Sequence, residues 1–136
     1  MTRILLFGAA GQLGQEITAI AQGRKLDLIG LDRSRVDICD PVAVARMLEA
    51  NRPDVVINAA GYTAVDKAES EPELAARANA FAPGHMAERC ARYRTPFIHV
   101  STDYVFDGTK PTAYVETDPV APLGVYGRTK AAGEAA

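Results

Sequence analysis

Tyr126 and Lys130, close to the end of the sequence, are the two residues whose types and spacing most directly suggest chemistry. Residues four positions apart on a helix lie on the same face, so the phenol and the ammonium would be neighbours. A nearby ammonium favours the phenolate, which makes a tyrosine a usable proton donor near neutral pH. A Tyr-x-x-x-Lys pair on its own is more commonly an amphipathic tyrosine above a solvated lysine, so its interpretation depends on the rest of the chain.

A glycine-rich turn follows the first apolar segment, 3–7, which is typical of a buried parallel strand. After the turn, apolar residues at helical spacing predict a helix over 12–21. Gly8 permits a tight turn, Gly11 lets a phosphate approach the backbone, and Gly14 lets the helix pack closely on the strand. The helix N-terminus supplies N–H donors to a pyrophosphate. The spacing G-x-x-G-x-x-G between a strand and a helix therefore predicts a dinucleotide site rather than a plain glycine-rich turn.

Asp32 stands at the end of a second apolar segment, 26–31, and lies 18 positions after Gly14. That spacing is close to the ~20 residues that separate the glycine motif from the ribose-binding acid in dinucleotide folds. A carboxylate there accepts hydrogen bonds from the adenosine ribose and repels a 2′-phosphate, whereas Arg33 and Ser34 beside it are able to hold that phosphate. The sequence therefore leaves NADH and NADPH open as cofactors, and a simple turn carboxylate is the alternative role for Asp32.

Two further apolar segments, 55–61 and 97–100, predict a third and a fourth strand. Asp40 and Pro41 predict the start of a helix that ends near Asn51, because aspartate is a good N-cap and proline suits the first helical position. A capping box of Ser70 and Glu73 predicts the start of another helix that reaches about Tyr93. Pro83 should kink or divide that helix near Ala82. Asn79 lies one turn before the kink, and the pattern alone predicts a solvated side chain there.

The alternation of strands and helices predicts an α/β fold, a Rossmann-type doubly wound parallel sheet with strand order 3-2-1-4 and right-handed crossovers. Ligands bind at the carboxyl ends of the strands in such sheets. Two stretches fall at those ends: the small residues that finish the third strand, and the hydroxyl- and aromatic-rich segment 101–108 after the fourth. We expect residues 1–136 to form one NAD(P)-binding domain.

Composition excludes several other classes of protein. The 136 residues have a formal net charge of -2, so there is no basic field for nucleic acid or an anionic membrane, and we expect neither as a partner. No apolar run is long enough to span a bilayer. Cys39 and Cys90 lack metal-ligand spacing, which predicts reduced structural thiols in a cytoplasmic protein and no metal site.

Four motifs together carry a resemblance to a known family. They are the glycine motif Gly8-x-x-Gly11-Gln12-Leu13-Gly14; Asn58-Ala59-Ala60 followed by Thr63-Ala64-Val65-Asp66-Lys67-Ala68-Glu69; Ser101-Thr102-Asp103-Tyr104-Val105-Phe106-Asp107-Gly108; and Tyr126-Gly127-x-Thr129-Lys130. The chain resembles the extended short-chain dehydrogenases/reductases and, within them, the dTDP-4-dehydrorhamnose reductase family. The resemblance covers the whole chain and implies NADH- or NADPH-dependent reduction of dTDP-4-keto-L-rhamnose to dTDP-L-rhamnose in bacterial sugar-nucleotide synthesis.

The resemblance also implies roles for individual residues. Tyr126 would protonate the C4 oxygen of the sugar, Lys130 would hold the nicotinamide ribose and favour the Tyr126 phenolate, and Thr102 would hydrogen-bond the same sugar oxygen. The substrate would also be bordered by Asp103, Tyr104 and Phe106. The dinucleotide would be lined by Gly8, Gly11, Gln12, Leu13, Gly14, Asp32, Arg33, Asp37, Ile38, Ala59, Ala60 and Asn79, together with Tyr126 and Lys130.

Family members are about twice as long, which predicts that this chain is truncated within the catalytic helix, lacks the substrate portion and is inactive by itself. Three other functions remain open: a different reductase or epimerase acting on another nucleotide sugar, a regulatory subunit that keeps the fold and cofactor but does no chemistry, and a bare nucleotide-binding module. Joint retention of Thr102, Tyr126 and Lys130 argues against the regulatory role. The oligomeric state, a homodimer included, and any dependence on metal are not decided by the sequence.

Overall fold

The computed structural model describes all residues from Met1 to Ala136. Four strands, β1 (Arg3–Phe7), β2 (Asp27–Leu31), β3 (Val55–Asn58) and β4 (Phe97–His99), form one sheet in which every neighbouring pair is parallel. The helices are α1 (Gln12–Gly23), α2 (Pro41–Asn51), α3 (Val65–Ala68), α4 (Pro72–Ala76), α5 (Ala82–Tyr93) and α6 (Val125–Ala135). The parallel, Rossmann-type α/β architecture predicted from the sequence is confirmed.

The strand order is β2-β1-β3-β4, which differs from the predicted 3-2-1-4. β1 pairs with β2 as expected, but β3 pairs with the other side of β1 and β4 pairs with β3. Burial explains the difference. β2 is only partly buried along most of its length and suits an edge, whereas Val56 and Asn58 of β3 are fully buried and require a central place. The chain therefore adds β2 on one side of β1, and β3 and β4 on the other, so the order of the strands reverses between β1 and β3. Ligands of open α/β sheets bind at such a reversal, the topological switch point.

The core lies between the sheet and the α2–α5 face. It is a cluster of buried apolar side chains from the strands, the two helices and the turn after β2: Leu5, Phe7, Leu31, Val36, Val44, Leu48, Val56, Met86 and Cys90. Asp40 caps α2 as predicted, because its carboxylate accepts from the Val42 and Ala43 N–H groups. No helix is both long and apolar enough to cross a membrane.

The long helix predicted over 70–93 is divided into α4, a π-helical segment (Arg77–Phe81) and α5. The predicted capping box does not form, because Ser70 donates to the Lys67 carbonyl and α4 begins at Pro72. The division before Pro83 is confirmed. Pro83 has no N–H to donate to the Asn79 carbonyl four residues earlier. Just before it, the Ala82 N–H bonds the carbonyl of Arg77, five residues earlier, which is the hydrogen bond of a π-helix.

Candidate nucleotide-binding and catalytic site

A groove of about 910 Å³ runs along the carboxyl ends of the strands. It is lined by the glycine loop, the turn after β2, the segment after β3, the π-helical segment and α6. Thirteen of the residues predicted to hold the cofactor lie along it: Gly8, Gly11, Gln12, Leu13, Asp32, Arg33, Asp37, Ile38, Ala59, Ala60, Asn79, Tyr126 and Lys130. The structure therefore brings together, in one groove, residues from the first to the last element of the chain.

The three glycines of the motif serve different purposes in the structure. Gly8 has φ +86, and a Cβ on it would lie 2.6 Å from the Ala60 nitrogen, so the turn against β3 requires glycine. A Cβ on Gly14 would lie 2.0 Å from the Gly8 carbonyl oxygen, which explains why Gly14 is buried under the loop and does not line the groove.

Gly11 differs from the other two because a Cβ there would approach the protein no closer than 3.4 Å, at the Gly8 carbonyl oxygen. Folding therefore does not require a glycine at this position, and the space kept free lies in the groove. α1 begins directly afterwards at Gln12, and no side chain caps it at Gly11. An uncapped helix N-terminus behind an open backbone fits the pyrophosphate of a dinucleotide.

Asp32 and Arg33 form the end of the groove beyond β2. One oxygen of the Asp32 carboxylate, Oδ1, accepts hydrogen bonds from the Ser34 N–H at 2.9 Å and the Ser34 hydroxyl at 2.5 Å. These bonds lower the pKa of Asp32 and keep its carboxylate ionised. Because both Ser34 donors are engaged by Asp32, Arg33 is the groove-lining side chain here that could receive a 2′-phosphate.

Tyr126 and Lys130 lie one turn apart on α6 and both face the groove, as their spacing predicted. Lys130 is 5% exposed, and its ammonium donates a hydrogen bond of 2.6 Å to the Val100 carbonyl just after β4. Burial lowers the pKa of Lys130, an effect that the negative charge of Glu134 partly opposes. The ammonium is therefore held at the groove by the chain that leaves β4.

Asn79 is buried, in contrast to the solvated side chain that the pattern alone predicted. Its side-chain oxygen accepts from the Tyr62 N–H at 2.8 Å, and its amide nitrogen donates to the Tyr62 carbonyl at 3.0 Å and the Thr129 hydroxyl at 3.2 Å. Asn79 thus joins the groove wall after β3 to the middle of α6. Pro83, four residues later, was the one sequence signal that this part of the helix is irregular.

The four residues predicted to meet the substrate do not line the groove, but follow β4 in a 3₁₀ turn (Asp103–Val105) and its flanks. Thr102 caps this turn by accepting from the Tyr104 N–H at 3.2 Å, and Asp103 is exposed. The ring of Tyr104 meets the ring of Tyr126 edge to face at 5.4 Å, so this segment borders the catalytic helix. Phe106 stacks instead on Tyr114 at 4.1 Å.

Several groove residues were missed by sequence reasoning. Tyr62 and Thr63 follow β3, Ser101 follows β4, and Cys39 lies in the turn after β2. The Tyr62 hydroxyl donates to Glu71 at 2.7 Å, and desolvation together with this bond raises the pKa of Tyr62 to about 12. The rule that ligands bind at the ends of strands could have indicated Tyr62, Thr63 and Ser101, whereas nothing local indicated Cys39.

The parallel sheet, the groove at its switch point and the Tyr-x-x-x-Lys helix beside β4 define the class: a Rossmann-type domain of the short-chain dehydrogenases/reductases. The model of the RmlD substrate binding domain family matches residues 1–136, and the chain belongs to that family.

Individual relatives agree with this placement. A dTDP-4-dehydrorhamnose reductase of Mycobacterium tuberculosis is 49% identical in an alignment of 138 positions that covers 98% of this chain and 45% of the relative. A crystal structure of the dTDP-4-dehydrorhamnose reductase of Bacillus anthracis in complex with NADP has a TM-score of 0.94 at 34% identity, covering 99% of this chain and 48% of that one. The crystal structure of a UDP-glucose 4-epimerase of Thermus thermophilus in complex with NAD has a TM-score of 0.89 at 26% identity. The match covers 98% of this chain and 49% of the epimerase chain. The chain thus spans about half the length of the relatives it matches.

Proposed function

We propose that residues 1–136 act as the NAD(P)-binding and proton-donating domain of a reductase that converts dTDP-4-dehydro-L-rhamnose to dTDP-L-rhamnose. The observation that carries the proposal is that Tyr126 and Lys130 face the same groove as the glycine loop. The substrate is inferred from relatives that match 98% of the chain, such as the dTDP-4-dehydrorhamnose reductase of M. tuberculosis. The proposal also places the reaction in the cytoplasm, with a nucleotide sugar as the substrate.

The cofactor is NADPH or NADH, and the groove has the residues to hold either. Gly11, Gln12 and Leu13 would face the pyrophosphate, Asp32 and Arg33 the adenosine ribose with or without its 2′-phosphate, and Asp37 and Ile38 the adenine end. The nicotinamide end would lie against Ala59, Ala60, Asn79, Tyr126 and Lys130. When bound, the reduced nicotinamide supplies the hydride that the reduction consumes.

The protein's own contribution is orientation and a proton. The Tyr126 hydroxyl would give its proton to the C4 oxygen of the sugar. Lys130 would bond the nicotinamide ribose. Thr102 and its neighbours Asp103, Tyr104 and Phe106 would border the sugar, since the Tyr104 ring already touches the Tyr126 ring.

The test is reduction of the 4-keto sugar by the protein extended to the length of its relatives, followed through the nicotinamide absorbance. Tyr126→Phe should lower turnover by ~10²–10⁴, the usual worth of a positioned general acid, and leave cofactor affinity nearly unchanged. Loss of NADPH without an added keto sugar, or equal turnover by Tyr126→Phe, would contradict the proposal.

The similarity to the T. thermophilus epimerase makes a nucleotide-sugar epimerase the second candidate. An epimerase returns the cofactor to its starting state, whereas a reductase consumes one NADPH for each sugar. Conversion of sugar without net loss of NADPH would therefore favour the epimerase. Cofactor binding without any conversion would favour a regulatory subunit.

A further inference from the structure

Glu69 is joined to the catalytic helix although it lies 56 residues before it in the chain. Its carboxylate oxygen Oε1 accepts a hydrogen bond of 2.7 Å from the Val125 N–H. Val125 is the first residue of α6 and Tyr126 is the second, while Gly124 before them offers no side-chain cap. Glu69 therefore supplies from a distant segment the cap that α6 lacks locally.

The space around Gly124 is consistent with this role. A Cβ on Gly124 would lie 2.9 Å from the Glu69 carboxylate oxygen. The backbone of Gly124, with φ -113 and ψ 173, is extended and open to any residue. The glycine is therefore not required by the backbone conformation, and its missing side chain leaves room for the Glu69 carboxylate.

The segment that carries Glu69 is also a wall of the groove. Tyr62, Thr63 and Ala64 line the groove immediately before α3, and Glu69 follows α3. Two residues later, Glu71 accepts from the Tyr62 hydroxyl and pairs with Lys67 at 3.0 Å. One short, internally bonded segment thus forms the groove wall and holds the first turn of α6.

We propose that Glu69 is a positioning residue that sets the orientation of Tyr126 relative to the groove; its catalytic consequence rests on the proposed function. The end of a helix frays unless its N–H groups are bonded, and a carboxylate near a helix N-terminus is favoured by the helix dipole. The middle of α6 is already fixed through Thr129 and Lys130. In the first turn, which carries the phenol, Glu69 bonds the leading N–H group, that of Val125.

The structural test uses the 136-residue chain and amide hydrogen exchange at Val125, whose N–H bonds Glu69. Glu69→Ala should speed exchange there by roughly 3- to 30-fold, the range expected for loss of a helix cap. Glu69→Gln keeps an acceptor oxygen at the same reach and should restore most of the protection. Glu73→Ala removes another exposed carboxylate nearby that makes no bond to α6, so exchange in α6 should stay at the parent rate.

Gly124→Ala tests the hydrogen bond between Glu69 and Val125 in a second way. Its Cβ should shift the Glu69 carboxylate oxygen by a few tenths of an ångström, which should weaken the bond to Val125 and speed exchange there. Combined with Glu69→Ala it should add little, because the bond is already lost. Full additivity of the two substitutions would show that they act separately and would overturn the proposal.

The catalytic test uses the protein extended to the length of its relatives. Glu69→Ala should lower kcat by ~10-fold to 10²-fold while the NADPH dissociation constant and KM for the sugar change less than about threefold, because a small misplacement of a catalytic group acts on the chemical step. Glu69→Gln should recover most of kcat. Parent-like kcat in Glu69→Ala, or unchanged exchange at Val125, would overturn the proposal. If the parent itself does not turn over, the proposed function fails, and the exchange data alone then decide whether Glu69 holds α6.

Discussion

The Lys130 ammonium reaches the Val100 carbonyl across the interface between α6 and the end of β4, with a nitrogen-to-oxygen distance of 2.6 Å. This bond fixes the charged end of a side chain that is only 5% exposed. Burial lowers the pKa of Lys130, which shows that the site disfavours the charge. A buried lysine with a lowered pKa at a groove is better explained by its use there than by a gain in stability.

The first prediction concerns the opposing effects of the Lys130 charge on stability and on cofactor binding. Lys130→Met keeps most of the packing volume, loses one charged hydrogen bond and removes a buried charge. Because these effects oppose each other, the free energy of unfolding in urea should change by no more than about 1 kcal/mol. NADPH affinity, measured by fluorescence titration, should nevertheless fall at least ~10-fold, the worth of a hydrogen bond to a charged group, since the proposed contact with the nicotinamide ribose would be lost. Lys25→Met, at an exposed lysine before β2, is the matched control and should change neither quantity.

The second prediction separates the glycines of the first loop. Gly14→Ala should destabilise the fold, because its Cβ would lie 2.0 Å from the Gly8 carbonyl oxygen and backbone would have to move. Gly11→Ala should leave thermal unfolding nearly unchanged, because its Cβ has 3.4 Å of clearance. NADPH affinity should fall in Gly11→Ala, since the methyl group enters the space kept for phosphate. A stable Gly11→Ala protein with parent affinity would remove this loop from the site.

The sequence predicted the elements that depend on local pattern. The glycine loop between strand and helix, Asp32 after β2, and Tyr126 with Lys130 on one helix face could all be read from spacing, and their shared groove followed from the rule for parallel sheets. The strand order could not be read in this way. Whether β3 pairs with β1 or β2 depends on burial across the whole sheet, which no local pattern of the chain encodes.

Hydrogen bonds between side chains and residues far away in the chain also could not be predicted from the local sequence pattern. Asn79 bonds Thr129, 50 residues away, and Glu69 bonds Val125, 56 residues away. Each of these residues viewed alone is an ordinary polar residue on a helix or turn, and a solvated side chain was predicted for Asn79. The capping box at Ser70 fails for a related reason, because the Lys67 carbonyl takes the serine hydroxyl before α4 begins.

The third prediction concerns the choice between NADH and NADPH. Asp32 has one carboxylate oxygen engaged by Ser34, which leaves its other oxygen for the ribose hydroxyls. If Asp32 binds the ribose as proposed, Asp32→Ala should weaken the binding of NADH more than that of NADPH, because a carboxylate at this position would repel a 2′-phosphate. Arg33→Ala should have the opposite effect, and fluorescence titration of both cofactors against both variants measures it. Equal losses for the two cofactors in both variants would place the adenosine ribose elsewhere.

The remaining prediction concerns His99 in β4, a titratable residue that the proposed chemistry does not use. Its ring nitrogen Nδ1 lies 3.2 Å from the Asn58 side-chain nitrogen, which can only donate, so the neutral ring carries its proton on Nε2. That nitrogen is buried and has no hydrogen-bond partner. Burial lowers the pKa of His99 to about 4, the positive charge of Lys130 adds to the effect, and Glu134 opposes it.

This low pKa makes stability depend on pH in a defined direction. In the unfolded chain the histidine regains its ordinary pKa of about 6.5 and binds a proton below it, while the folded chain does not until the pH approaches about 4. The free energy of unfolding should therefore be unaffected by His99 above pH ~6.5 and should fall as the pH drops from there toward 4, by up to about 1.4 kcal/mol per pH unit. Urea unfolding of the parent and of His99→Leu over this range measures the effect. Carboxylates common to both proteins cancel in the difference between the two curves, and that difference should change steadily across the window. Parallel curves would show that the folded protein protonates His99 as readily as the unfolded chain does, and that its environment does not exclude the charge.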